Sequence, residues 1–106
     1  MSDIEDDVDI VPATLSEAAA CAKLHAQCFA DIWDAASLAR LIGAEAATSF
    51  VAVTGAEHQV IGFIVAFSAV DEAEVLTLAV DPAWRRLGIG RRLVERQAVV
   101  LGHVAE

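Results

Sequence analysis

Basic residues are scarce in this chain: across 106 residues, seven lysines and arginines face sixteen aspartates and glutamates, for a net charge of −9. Such a balance repels a nucleic-acid backbone and excludes nucleic-acid binding as a main role. Long hydrophobic runs are also missing. Hydrophobic residues make up 57 % of the sequence and mean hydropathy is +0.54, which excludes a disordered chain, yet no apolar stretch approaches the ~20 residues needed to span a bilayer. No membrane role is expected. The opening segment carries Asp3, Glu5, Asp6, Asp7 and Asp9 and has neither the basic nor the apolar region of a secretory signal, so a cytoplasmic protein is expected. Only two cysteines occur, Cys21 and Cys28. Seven positions apart on a helical pattern they stand about 10 Å apart, too far for a disulfide, and are expected to stay thiols. His25 lies between them, but no fourth ligand is spaced nearby and no metal site is expected. No repeat or low-complexity linker is present, and 106 residues make at most one domain with a marginal core.

The positive charge that does exist is concentrated. Five of the seven basic residues, Arg85, Arg86, Arg91, Arg92 and Arg96, fall within twelve positions. Residues 1 to 84 hold two basic residues against fourteen acidic ones, and residues 85 to 106 hold five against two. Gly88 and Gly90 lie among these arginines, after the apolar run Val75-Leu76-Thr77-Leu78-Ala79-Val80 and before a helical pattern. Unpaired N–H groups at a helix start attract anions, and glycines let a ligand approach the main chain. The segment reads as an anion cradle for a phosphorylated ligand.

Periodicity along the chain predicts an α+β fold of order β-α-α-β-β-β-α with a mainly antiparallel sheet. Residues 1 to 8 form an acidic tail expected to be disordered, and Asp9 to Ala13 a short strand with Pro12 near its end. Thr14 or Ser16 caps a helix over roughly 16 to 29, and Asp34 or Ser37 caps a shorter one ending between Gly43 and Ala47. Phe50 to Val53 and Val60 to Phe67 read as a hairpin around a turn at 55 to 58, a turn at 71 to 73 leads to a strand from Glu74 to Val80, and the last helix runs from about Gly88 to Leu101.

Two phosphate-loop patterns fail on particular residues. A dinucleotide fingerprint needs glycine where Leu93 stands, and a P-loop needs Gly-Lys-Ser/Thr where the chain has Gly90-Arg91-Arg92. The pattern Arg-x-x-Gly-x-Gly directly after Val80-Asp81-Pro82 instead resembles the pyrophosphate loop of the GNAT acyltransferases. The likeness to the bacterial ribosomal-protein-alanine N-acetyltransferases (RimI-type) covers 23 positions, Asp71 to Leu93.

That resemblance implies the GNAT fold and transfer of acetyl from acetyl-CoA to an amine, of which a protein N-terminal α-amine, as on a ribosomal protein, is the expected acceptor. It assigns Leu78, Ala79 and Val80 to the pantetheine arm. Arg85 holds the loop's leading Arg/Gln position, and Arg86, Leu87, Gly88, Ile89, Gly90 and Arg91 hold the pyrophosphate. It also implies that residues 9 to 106 are the N-terminal part of the domain, ending before a C-terminal half-sheet. In relatives a glutamate on the next strand is proposed as general base and a later tyrosine as general acid; this chain has no tyrosine. Glu74 is the carboxylate best placed to serve as base. Glu72 reads as a solvated turn acid, His58 as a hairpin residue and His103 as part of a fraying end, with Trp33 and Trp84 as packing residues. Two other readings remain: a non-catalytic acyl-CoA-binding module, and an inactive fragment that needs a partner. The strand Glu74 to Val80 would keep one unpaired edge rich in Val and Leu, which recruits strands from other copies. Sedimentation at tens of micromolar is expected to show dimers, and a single monomer species would contradict this.

Overall fold

The computed structural model describes residues 8–55, 57–69 and 72–101. Val8, expected to belong to the disordered acidic tail, instead opens the first strand and is buried at 2 % exposure, because its side chain joins the core on the side of the last helix. Residues 1–7, parts of the two turns at 55–58 and 71–73, and His103 lie outside the described residues. Among those described, a four-stranded antiparallel sheet of order β1-β2-β3-β4 is built from β1 (Val8–Pro12), β2 (Ala47–Thr54), β3 (Val60–Ala69) and β4 (Glu72–Val80). Consecutive strands are neighbours throughout, so β1 and β4 are its edges.

Period-two alternation sends the two halves of each apolar strand to opposite faces. Val51, Val53, Phe63, Val65 and Ala79 pack with Ala18, Cys21, Leu24 and Leu38 of α1 (Ala18–Cys28) and α2 (Ala35–Gly43). Phe50, Ala52, Ile61 and Ile64 pack with Ile89 and Leu93 of α3 (Ile89–Leu101). Both faces are covered, which is why the strands read as near-continuous apolar runs.

Element boundaries moved for identifiable reasons. The first helix begins as a 3-10 turn, Leu15–Glu17, before α1 proper, because the Glu17 carboxylate turns back to accept the Thr14 N–H at 2.6 Å. In α2 the Asp34 carboxylate accepts the Ser37 N–H at 2.9 Å, a bond that holds the carboxyl below its ordinary pKa. Gly88, expected inside the last helix, has φ +81° and lies just before it. β2 and β4 each begin earlier than the apolar pattern suggested, at Ala47 and Glu72.

The sheet carries two irregularities that matter for the site. Ala52 pairs with Gly62 and Val53 with Val60, so Ile61 is an extra residue whose carbonyl accepts the Asp81 N–H at 2.8 Å. Val65 pairs with Thr77 and Ala66 with Val75, which makes Leu76 an extra residue in β4. Gly62 sits where α3 packs closely on the sheet. A Cβ there would lie 3.2 Å from the Ala79 carbonyl oxygen, 3.3 Å from Leu93 Cδ1 and 3.4 Å from Ile89 Cγ2. Gly62→Val is therefore expected to push α3 outward and destabilise the fold by about 1–3 kcal/mol, seen as a lower urea midpoint at unchanged slope.

Candidate functional site: a cleft along the free edge of β4

β4 ends at Val80 and the chain turns sharply. Asp81 Oδ1 accepts the Ala83 N–H at 2.8 Å, and a 3-10 turn, Pro82–Trp84, follows. The next residues form a tight loop in which Arg86 has φ +69° and Gly88 φ +81°. For arginine this left-handed conformation costs roughly 1 kcal/mol, whereas glycine adopts it freely. The first bond of α3 runs from the Arg92 N–H to the Gly88 carbonyl at 3.0 Å. The N–H groups of Ile89, Gly90 and Arg91 therefore have no acceptor within the helix.

Arg85 bends back on the strand it follows. Its Nε donates to the Val80 carbonyl at 3.2 Å and its Nη2 lies 3.3 Å from Cys28 Sγ. Cys28 Sγ is itself 3.6 Å from the same carbonyl. The guanidinium thus ties the end of α1 to the end of β4, a holding role that its place in the loop pattern did not foretell.

These elements enclose a cleft of about 370 Å³. It is lined by Leu78, Ala79 and Val80 of β4, by Trp84, Arg85, Arg86, Gly88, Ile89 and Gly90 of the following loop and α3 start, and by Cys28 and Phe29 at the end of α1. Eight of the ten sequence-proposed ligand contacts are thus brought together. Leu87 instead packs towards the α3 side of the core, and Arg91 is exposed outside the lining. Glu74 is exposed and lines no described hollow along β4.

A second hollow of about 380 Å³ adjoins the first, sharing Phe29 and Leu78. It continues along β4 past Thr77 and Leu76 to Val75, with His25, Asp31 and Trp33 opposite. His25 is 3 % exposed. Its ring stacks on Trp33 at 4.4 Å and 17°, and lies 4.5 Å from Phe29. Its Nδ1 is enclosed without a hydrogen-bond partner. Burial lowers the imidazole pKa below 6.5, against a smaller opposite pull from Asp31. In the sequence His25 stands out only as a candidate metal ligand; the spacing of His25, Phe29 and Trp33 at four-residue intervals is the signal of the aromatic cluster. Among the described residues no group of three His, Cys, Asp or Glu is arranged to hold a metal ion. No described helix is long and apolar enough to cross a membrane.

A strand paired on one side only among the described residues, running into a loop and a helix start whose first amides have no acceptor within the helix, coincides with a sequence match. Residues 18–99 match the acetyltransferase (GNAT) family. The chain belongs to the GNAT acetyltransferases. Acetyl-CoA is that family's co-substrate.

Among solved structures, the fold is similar to the ribosomal-protein-S18-alanine N-acetyltransferase of Escherichia coli, with TM-score 0.78 at 23 % identity over 89 % of this chain and 59 % of that one. It is also similar to a ribosomal-protein-alanine N-acetyltransferase from Brucella melitensis biovar Abortus 2308, with TM-score 0.74, 23 % identity, 90 % of this chain and 72 % of that one. Arabidopsis thaliana NAA60 in complex with acetyl-CoA superposes with TM-score 0.75 at 17 % identity over 92 % of this chain and 69 % of that one. At such identities the likeness is one of fold. The chain spans about three fifths of the Escherichia coli structure's length. No curated protein matches the chain.

The cysteines of α1 differ in setting: Cys21 is fully buried and Cys28 is half-buried at the cleft. Burial, with a smaller push from Glu17, raises the Cys21 thiol from 9.0 to about 12. Below about pH 9 both folded and unfolded chains keep this proton. Between about pH 9 and 12 only the unfolded chain releases it, so stability falls as pH rises, by at most ~1.4 kcal/mol per pH unit. Urea midpoints measured from neutral to alkaline pH are expected to fall less steeply in Cys21→Ala than in the parent chain.

Proposed function

We propose that residues 9–106 form the acetyl-CoA-binding, N-terminal part of an N-acetyltransferase domain that transfers acetyl to an amine, with a protein N-terminal α-amine as acceptor. The observation that carries this reading is the meeting of β4's free edge with the loop at Arg86 to Arg91. A Cβ built on Gly88 meets nothing within 4 Å, so the backbone there is open to a bulky anion. The N–H groups of Ile89, Gly90 and Arg91 and the positive end of the α3 dipole suit a pyrophosphate. Along Leu78 to Val80 the free edge offers main-chain groups at strand spacing, which suits the amide-bearing pantetheine arm. Both parts of the ligand fit the residues present.

The order of these contacts fixes a direction. With phosphates at the loop and pantetheine beside Val80 to Leu78, the thioester falls at Thr77 and the extra residue Leu76. The amine then attacks the thioester carbonyl carbon, a C–N bond forms, the C–S bond breaks, and coenzyme A leaves as the thiol. The chain's contribution is to orient the two reactants and to polarise the carbonyl through backbone N–H groups, which requires no covalent enzyme intermediate. The Escherichia coli and Brucella structures bear the names of ribosomal-protein-alanine acetyltransferases, which supports an N-terminal alanine of a ribosomal protein as the acceptor. The unpaired edge of β4 also favours a homodimer formed through that strand when acetyl-CoA is absent, since the two compete for the same edge.

Isothermal titration of the chain with acetyl-CoA, repeated with Gly88→Glu, tests the cradle. Binding is expected in the parent and lost in the variant, whose carboxylate enters the anion's place. Equal binding in both would overturn the assignment of the loop, and absence of binding in the parent would overturn the reading as a whole.

A further inference from the structure

Transfer to an amine needs a group that removes a proton, because an ammonium has no lone pair with which to attack. Glu74, the carboxylate nearest in sequence, is exposed and outside the groove. The groove holds another candidate at the place where the thioester and the amine would meet. We propose that His25 accepts the proton of the attacking amine. The inference rests on the acetyl-CoA reading, which sets the thioester beside Thr77.

Three features of His25 support the role. It lines the same hollow as Thr77 and Leu78, on the wall opposite β4. Its ring is fixed between Phe29 and Trp33, with centroids 4.5 and 4.4 Å away, so its direction is set before any ligand arrives. Its Nδ1 is enclosed and hydrogen-bonds to nothing, and the proposal gives Nε2 the exchange of a proton with the groove. A core histidine kept for packing usually has its polar atoms satisfied. A buried polar atom without a partner is costly to keep, and such costs are found where a site uses the group.

Electrostatics agree with the geometry. A base must be neutral when the substrate arrives, which burial favours, and must then carry the proton, which the nearby Asp31 favours. Asp31, on the connection after α1, is the charged group that acts on the ring and opposes the shift. β4 presents the uncharged Thr77 and Leu78, with Glu74 outside the hollow, and Arg85 is turned towards Cys28 and Val80. The step balances as follows. The ammonium gives one proton to His25, and the free amine forms the C–N bond. As the C–S bond breaks, the coenzyme A sulfur keeps the electron pair and takes the second amine proton. The imidazolium then returns its proton to water.

Bromoacetyl-CoA tests the placement without requiring turnover. A nucleophilic ring nitrogen at the acyl position displaces bromide from the probe and keeps it as a covalent adduct, which peptide mass mapping locates. Titration with coenzyme A runs in parallel on the same samples. The expected result is an adduct on His25 whose rate rises with pH and levels off at a lower pH than for a free imidazole, because burial favours the neutral ring. In His25→Phe, which keeps an aromatic ring between Phe29 and Trp33, the adduct is lost and coenzyme A binding is unchanged. A bound probe that leaves His25 unmodified, or that labels Cys28 at a rate still climbing above pH 8, overturns the role of His25 and leaves the acetyl-CoA reading standing. Absence of coenzyme A binding overturns both.

Discussion

β4 is hydrogen-bonded to a described strand on one side only, and both hollows of the candidate site lie along its other side. Its position is held by pairing with β3, which runs from Gly62 and Val80 at one end to Ala69 and Glu72 at the other. At the Val80 end three further contacts converge on the strand's exit. The Asp81 N–H bonds the Ile61 carbonyl, Arg85 bonds the Val80 carbonyl, and Cys28 stands beside both. The bulge at Leu76 interrupts the ladder near the middle and sharpens the local twist, which turns the two parts of the free edge differently. A strand held firmly at its exit and irregular at its centre can keep a rigid loop and still present unpaired main chain to a ligand.

The loop after β4 depends on the same anchoring. A left-handed arginine is unfavourable in isolation and persists only where its surroundings determine it. Here the surroundings act from both ends. On one side the Asp81 cap and the Pro82–Trp84 turn fix the approach. On the other, Ile89 is 2 % exposed and packs over Gly62, so α3 cannot rotate to relieve the loop. Absence of a side chain at Gly62 therefore reaches the candidate site indirectly, through the depth at which α3 sits.

Much of the fold was legible because it rests on short-range signals. Alternation in 50–53 and 60–67, the Asp34 cap, and the Asp81-Pro82 stop are each contained in a few residues. What stayed hidden depends on pairs far apart in sequence. Arg85 and Cys28 are 57 positions apart, and the loop pattern gave no sign that the guanidinium would turn to α1. Register bulges at Ile61 and Leu76 arise from fitting whole strands together and leave no composition signal. His25 was visible as a residue, but its enclosure depends on Trp33 returning over it across the α1–α2 connection, which helical spacing alone does not specify.

The arginine cluster shows how far a charge argument carries. In sequence, Arg85, Arg86, Arg91, Arg92 and Arg96 form one basic address; in space the start of α3 divides them. Arg92 donates to the Val8 carbonyl at 2.9 Å and Arg96 lies 5.3 Å over the Phe50 ring, so both serve the β1 and β2 side of the sheet. Arg85 is engaged at Val80 and Cys28. Of the five, Arg86 lines the cleft with no such tie among the described residues, and its backbone conformation shapes the loop. For the proposed cradle, side-chain charge is thus a smaller part than the sequence suggested, and main-chain N–H groups are the larger. In a chain of net charge −9 that distribution is physically sensible. Fixed amides at a helix start hold an anion at close range through geometry, whereas a loose cluster of guanidinium groups would be drawn to the carboxylates around it.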